Sequence, residues 1–318
     1  MMDKTITFHD HNPRIESLQE AVIKGLSKEF KSIAPKYFYD ERGSQLFAEI
    51  CEQPEYYPPY IERTILSGSV DEILYLTGTE RITFEPGAGE ATKIRLLLDA
   101  LKPSAYLPMD ISCEYLKQAA AEIVDEFPWL PVHAVCVDFT HSIPIPNTAP
   151  EGNRLAFFPG SSIGNFTPNE ALNFLSMVRS TIGQGGMLLI GVDTKKEPAI
   201  LHAAYNDAAG VTAKFNLNLI HRIRNETGVD CDPENFEHQA FYNADLGRVE
   251  MHLISRCEQT LHLNGHRFQL HEGETLHTEN SYKYSPDEFI RLAERAGLQP
   301  IRHWLDDEKL FAVYLLQA

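Results

Sequence analysis

Three places in the first half of the chain carry side chains that could hold a ligand bearing hydroxyls and a positive charge. In ITFEPGAGEATKIRLLL, a short apolar run ends at Gly87-Ala88-Gly89 and gives way to residues with helical spacing. Glycines let a backbone approach a ligand closely, and a helix N-terminus beyond them offers free N–H groups. A dinucleotide fingerprint would want a third glycine at position 92, where Thr92 stands. Glu85, beside the loop, suits a cationic ligand better than a pyrophosphate. Asp110 closes the next apolar run, where a carboxylate can accept from both hydroxyls of a ribose. Asp138-Phe139 closes a third, where a carboxylate and an aromatic ring can hold the amine and the face of an adenine. Two further patterns lead elsewhere. GSSIG (Gly160 to Gly164) spells G-x-S-x-G but is not read as a strand–turn–helix nucleophile elbow, which argues against a hydrolase. His262 and His266 have H-x-x-x-H spacing, but Asn264-Gly265 between them breaks any helix and other ligands are missing, so no metal site is expected.

The elements around these residues alternate. RITFE, AYLPMD, VHAVCVDF, RLAFFPG and GGMLLIGVD read as buried strands, and IRLLLDAL, CEYLKQAAAEIVDEF and TPNEALNFLSMVRSTI as helices between them. Ser112 is a plausible N-cap. Thr167, Pro168 and Glu170 form a capping signature. Such alternation predicts a parallel sheet covered on both faces. The pattern then changes. EPAILHAAYNDAAGVTAKFNLNLIHRIRNETG reads as one long helical stretch, followed by strand-like RVEMHLISR, QTLHL and HRFQL. Asn264-Gly265 between the last two is a hairpin signal. SPDEFIRLAERAGL and FAVYLLQ return to helix and strand. The expected fold is therefore a doubly wound α/β domain (residues 61–195 and 287–318) interrupted by an α+β domain (residues 196–286), with the N-terminal residues 1–60 packing on the insertion.

Composition narrows the class. The 318 residues are 43% hydrophobic and 23% charged, as in ordinary globular proteins. With 28 Lys and Arg against 45 Asp and Glu, the net charge is −17, and no basic run offsets it; neither nucleic acid nor an anionic membrane is an expected partner. No stretch approaches the ~20 apolar residues of a membrane span, and MMDKTITFHDHNP has no signal-peptide hydrophobic region. The five scattered cysteines form no C-x-x-C, which fits reduced thiols in a cytoplasm, with Cys136 in the apolar run AVCV packed in a core.

A glycine pair, a ribose acid and an adenine acid in strand order describe an S-adenosylmethionine (SAM) site of class I methyltransferases better than an NAD site. More specific motifs follow: YFYDERGSQLFAEICEQPEYYPPYIERTIL, FFPGSSIGNFTPNEA, AAYNDAAGVTAKFNLNLI, RVEMHL and HTENSYKYSPDEF. With FEPGAGEATKIRLLLDAL, they resemble in order the L-histidine Nα-methyltransferases of ergothioneine biosynthesis, from about Lys36 to the end. The resemblance implies a class I (Rossmann-like) methyltransferase domain with an inserted α+β substrate-binding domain, and transfer of three methyls from SAM to the α-amine of histidine, giving hercynine. On matching positions it makes Tyr39, Gly87, Lys93, Asp110, Asp138 and Phe139 the SAM contacts. It makes Tyr56, Gly160, Asn165, Tyr205, Met251, Glu279 and Ser281 the histidine contacts. Taken singly, the tyrosines and prolines at 56–59 are a packed turn, Met251 and Phe215 core, and Asn165 a loop cap; their joint occurrence in one order is what favours a site.

Methyl transfer to an amine is an in-line displacement at carbon, so the protein must desolvate, align and keep the amine neutral. Asn165 can hydrogen-bond the amine and carboxylate, and Tyr205 can donate to the carboxylate. Glu279 with Ser281 suits an imidazole: the carboxylate accepts from one ring N–H and the hydroxyl serves the other nitrogen. Tyr39 can hold the mono- and dimethylated amine and border a water route for the proton, which makes Tyr39 and Asn165 the candidate catalytic residues. Rival readings are the same chemistry on a prenylated tryptophan amine, a non-catalytic SAM-binding protein, and an NAD oxidoreductase. The chain is expected to act as a monomer on a small molecule.

Overall fold

The computed structural model describes residues 6–13 and 16–318; residues 1–5, part of the segment read for a leader, lie outside the described residues. The chain forms two compact units. One takes Tyr60–Thr194 and Tyr284–Ala318 together with strand β1 (Ile6–Asp10); the other takes Glu16–Pro59 and Lys195–Lys283.

In the first unit the expected strands form as β2 (Ile82–Pro86), β3 (Ala105–Asp110), β4 (Val132–Cys136), β5 (Arg154–Phe158) and β6 (Met187–Asp193). They are joined at the end of the chain by β12 (Gln299–Leu305) and β13 (Phe311–Gln317). The sheet order is β1-β4-β3-β2-β5-β6-β13-β12. Strands β1 to β6 pair in parallel, whereas β13 runs antiparallel to β6 and β12 antiparallel to β13. Every residue of β2, β4 and β6 is buried, as it must be where helices cover both faces. Those helices are α3 (Pro58–Gly68), α4 (Val70–Thr77), α5 (Arg95–Leu101), α6 (Cys113–Glu126), α7 (Pro168–Ile182) and α10 (Pro286–Arg295). Leu97, Leu116 and Ile123 from the helices meet Tyr106, Val132 and Leu189 from the strands in one core.

Helix starts follow their signals with one exception. Thr167 and Glu170 make a reciprocal capping box at α7, and Ser285 and Glu288 make another at α10. Ser112 stands at the N-cap of α6, but its hydroxyl makes no capping bond; its backbone N–H donates to Asp110 Oδ1 at 2.9 Å instead. β1 departs from the expectation that residues 1–60 pack on the insertion: it pairs with β4, Ile6 opposite Val132 and Asp10 opposite Cys136. Five residues of mixed polarity, ITFHD, carry little pattern, and the sheet's open edge supplies the hydrogen bonds that make them a strand.

The cysteines also depart from expectation. Cys113 and Cys136 form a disulfide, their Cα atoms 5.2 Å apart. The register that sets Asp110 beside Cys136, with α6 starting at Cys113, brings together two residues separated by 23 positions. Reduced thiols at these two positions are thus corrected, while Cys136 is fully buried as expected.

The second unit packs α1 (Leu18–Leu26), α2 (Glu41–Cys51), α8 (Pro198–Tyr205) and α9 (Val211–Thr227) against an antiparallel sheet. That sheet has the order β11 (Thr275–Tyr282), β8 (Arg248–Ser255), β7 (Phe236–Asn243). Its core joins Val22, Phe38, Leu46, Phe215 and Leu219 to Met251 and Leu253. The single long helix read from residues 197–228 is two helices. Asp207 accepts from the N–H groups of Val211 and Thr212, both at 2.7 Å, and so caps a new helix behind Gly210. A separate hairpin, β9 (Gln259–Leu263) and β10 (His266–Leu270), turns at Asn264-Gly265 with both φ angles positive.

Thr167→Ala removes one reciprocal cap and is expected to cost about 1 kcal/mol of stability, read as a fall of about 2–4 °C in Tm by calorimetry.

Candidate active site

In the first unit, chain order runs from β2 through β3 to β4 on one side of the sheet and from β5 to β6 on the other. The loops leaving β2 and β5 therefore part at a topological switch point, where open α/β sheets bind ligands at the carboxyl ends of their strands. Gly87–Gly89 follow β2, and Gly160 follows β5. The glycine loop is braced by its neighbour strand. The N–H groups of Gly87 and Ala88 donate to the Met109 carbonyl at 2.8 and 3.0 Å, and Gly89 N–H donates to Asp110 Oδ2 at 3.3 Å. Gly87 has φ +69, and a Cβ there would lie 3.1 Å from the Phe139 ring. The loop does not lead straight into a helix: Glu90–Ile94 form turns, and α5 begins at Arg95.

Asp110 thus holds two backbone N–H groups, from Gly89 and Ser112, at the end of β3. Burial raises its pKa above the usual carboxylate value, and those hydrogen bonds limit the rise. Asp138 lies just beyond β4 and accepts from Thr140 N at 3.0 Å and Thr140 Oγ1 at 2.5 Å. Phe139 packs edge-on to Phe158 and Phe174.

Lys93 and Gly160 are brought together by a residue that sequence reasoning missed. Glu62, on α3, is 1% exposed. It pairs with Lys93 Nζ and accepts from Gly160 N–H at 2.8 Å. Gly160 has φ +85, and a Cβ there would sit 3.0 Å from Lys93 Nζ, so the loop needs glycine for conformation and for room. Ser161 and Asn165 follow; Ser161 Oγ accepts from Asp193 N–H at 2.8 Å, a structural role, and Asn165 ends a 3-10 turn (Ser162–Asn165). Glu85 does not supply the anion expected of it. Burial pushes its pKa up to about 8, and it accepts from Tyr106 Oη at 2.5 Å, so it is mostly neutral at pH 7.

In the second unit the remaining candidates gather on one face. Tyr39, Phe47, Tyr56 and Tyr205 form a chain of edge-on rings, Tyr39 against Phe47 at 5.6 Å and Tyr56 against Tyr205 at 6.2 Å. Tyr39 is 45% exposed and packs edge-on to the buried Phe215. Surrounding protein and then the Glu279 carboxylate raise both the Tyr39 and Tyr56 phenols above their usual range, Tyr56 also feeling Tyr205 and Cys51 before Glu279, so both are neutral donors at physiological pH. Met251 on β8 stands opposite Glu279 on β11. Alternation along β11 points Glu279 and Ser281 the same way. Burial raises the Glu279 pKa to about 7, and Lys283 opposes the rise. Tyr205 Oη donates to Ser281 Oγ at 2.8 Å. Lys283, 2% exposed, donates to both hydroxyls; it too went unremarked, although its place two residues after Ser281 was a readable signal.

His262 and His266, whose H-x-x-x-H spacing is not read as a metal motif, lie on neighbouring strands, β9 and β10. Among the described residues two other groups place three ligand-type atoms within 4.8 Å: Asp10, Cys113 and Cys136, of which the cysteines are the disulfide, and Glu250, His252 and His277. In the second group the two imidazoles stack at 4.7 Å and 27°, His252 Nε2 lies 3.0 Å from Glu250 Oε2, and His277 Nε2 lies 2.9 Å from the Glu279 carbonyl.

A parallel sheet with a switch point between β2 and β5, one antiparallel strand inserted at the far side, a braced glycine loop and carboxylates closing β3 and following β4 define the class I SAM-dependent methyltransferase fold. Residues 18–318 match the family described as histidine-specific methyltransferase, SAM-dependent, and the chain belongs to that family. The histidine N-alpha-methyltransferase of Mycolicibacterium smegmatis is 38% identical over 307 residues, 94% of each chain. Ergothioneine biosynthesis protein 1 of Neurospora crassa is 30% identical over 287 residues, covering 84% of this chain and 31% of that longer one. The 4-dimethylallyltryptophan N-methyltransferase of Claviceps purpurea is 26% identical over 95% of each chain.

Glu62→Ala leaves the Lys93 ammonium and the Gly160 N–H without their buried acceptor. Breaking such a pair is expected to lower stability by about 3 kcal/mol, measured by urea unfolding, and to weaken SAM binding in a calorimetric titration.

Proposed function

We propose that this chain transfers three methyl groups from SAM to the α-amine of L-histidine, giving hercynine. The observation that carries the substrate is the pairing of Glu279 with Ser281 on one face of β11, opposite Met251. An imidazole has one N–H and one bare nitrogen, so it needs one acceptor and one donor; an indole has one donor and nothing to accept, which disfavours a tryptophan amine.

The residues of the first unit suit SAM. Asp110 can accept from the ribose hydroxyls, and Asp138 with Phe139 can hold the adenine amine and face. Gly87 keeps the loop low enough for a ligand, and Lys93 can meet a carboxylate. SAM supplies an electrophilic methyl on a sulfonium that leaves without acid assistance. The chain's own work is to hold the amine and exclude water. Asn165 would bond the amine and carboxylate, with Gly160 beside it. Tyr205, whose one proton goes to Ser281 Oγ, would bound the pocket with its ring rather than donate to the carboxylate as expected from the sequence, and Tyr56 would wall the ring. Tyr39, neutral and partly open, would hold the amine as methyls accumulate, in the dual role of SAM and amine contact. Alignment of this kind can supply up to ~7–11 kcal/mol of the barrier. No metal is required by this chemistry. We place the enzyme in the cytoplasm, as a monomer; among the described residues no helix is long and apolar enough to cross a membrane.

Incubation with SAM and each of the twenty amino acids, read by mass spectrometry, is expected to add up to three methyls to histidine alone. Addition to tryptophan derivatives instead would overturn the substrate, and SAM binding with no turnover on any of them would overturn the enzyme.

The raised pKa of Glu279 sets a pH dependence. Its ordinary value is 4.5 and its value here about 7. Protonation adds an O–H that competes for the ring N–H and removes the charge-assisted bond, so this acceptor is weakened as pH falls below about 7. The amine must also lose a proton, so log(kcat/KM) for histidine is expected to rise with slope near two below that point and near one above it. Glu279→Gln, which cannot titrate, is expected to show slope near one throughout and a roughly tenfold or larger fall in kcat/KM at pH 8.

A further inference from the structure

The lysine behind the proposed ring-binding pair decides what that pair can offer. Lys283 is 2% exposed, Ser281 5% and Tyr205 7%, so their polar atoms must find partners within the protein. An ammonium has three donors and no acceptor, whereas a hydroxyl has one proton and two lone pairs. Lys283 Nζ lies 2.8 Å from Ser281 Oγ and 3.1 Å from Tyr205 Oη, and it can only donate to them. Tyr205 Oη, receiving from the lysine, passes its own proton to Ser281 Oγ at 2.8 Å. Ser281 Oγ then accepts twice, and what it has left to give is its proton. With no ammonium at that corner the two hydroxyls could run in either direction, and Ser281 could as well present a lone pair.

We propose that Lys283 is a specificity-determining positioning residue: it orders the protons of Tyr205 and Ser281 so that Ser281 offers a donor beside the acceptor Glu279, a pair matched to a ring with one N–H and one bare nitrogen. This rests on the reading that Glu279 and Ser281 hold the imidazole. A ring lacking the bare nitrogen would leave the Ser281 proton buried without a partner, which costs more than a missing contact.

The same ammonium acts on the acceptor. Glu279, Ser281 and Lys283 follow one another at alternate positions, and Lys283 is the charged group that draws the Glu279 titration down. From the N-terminal segment the Tyr39 and Tyr56 phenols interact with Glu279, and they also interact with Cys51 and with Tyr205 of α8; from β8 the residue opposite is Met251, which carries no charge. Lys283 is thus the cation that keeps Glu279 an acceptor near neutral pH.

The test is Lys283→Met, with Lys283→Arg, Ser281→Ala and Glu279→Gln alongside. K283M is expected to raise KM for histidine about tenfold or more, with kcat for the first methyl changed far less. It is also expected to move the Glu279 limb of the pH profile upward by about one unit or more, while SAM affinity stays within about twofold. K283R, which keeps charge and donors, is expected to return the limb to its wild-type position. A double variant, K283M with S281A, is expected to be little worse than K283M alone, because the lysine acts through the serine. Wild-type KM and an unmoved limb in K283M would overturn the proposal, as would a limb that K283R fails to restore. If S281A and E279Q leave histidine kinetics unchanged, the parent reading fails; if they impair it and K283M does not, only the lysine's role fails. Should K283M not fold, K283Q carries the same two readouts.

Discussion

A carboxylate taken out of water stays ionised only where a cation or several N–H groups stand close to it, and this constraint separates Glu62, Glu279 and Glu85. Glu62 touches Lys93 and the Gly160 N–H, and so ties two loops together. Glu279 has Lys283 near by and titrates at about 7, poised between acceptor and acid. Glu85 has a phenol as its direct partner and titrates at about 8, so it belongs to the core. Three residues of one type have three roles because their neighbours differ.

The fold turns that local constraint into two prepared surfaces. In the first unit, chain reversal between β2 and β5 leaves two loops at the carboxyl edge of the sheet. Bonds from Gly87 and Ala88 to Met109, and from Glu62 to Gly160, hold those loops before any ligand arrives. In the second unit, β11 and the residue just after it set a carboxylate, a hydroxyl and an ammonium at alternate positions, and Tyr205 at the end of α8 bonds the last two. Both surfaces are rigid because backbone and buried side chains, rather than solvent, satisfy their polar groups.

Much of this was legible in the chain. Strands of the parallel sheet announce themselves as unbroken apolar runs, and the caps at Thr167 and Ser285 use side chains three residues from their partners, so a local pattern suffices. The split between α8 and α9 was also local, since Asp207 reaches only as far as Thr212, but the apolar spacing on either side masks it. Lys283 had a readable position and no readable role, because a lysine two residues past a serine on a strand is ordinary until burial removes its water.

The sequence alone determined which segments become strands and helices, where the candidate glycines and carboxylates fall, and, through its resemblance, the chemistry to expect. Those depend on neighbours within a turn or two of helix or along one strand. Only the tertiary structure decided that Ile6–Asp10 completes the sheet edge, that Cys113 meets Cys136, that Glu62 reaches Gly160 across 98 positions, and that Glu85 is neutral. Each of these turns on pairing or burial set by distant parts of the chain, and a pKa or a cross-link follows from what surrounds a group rather than from what precedes it.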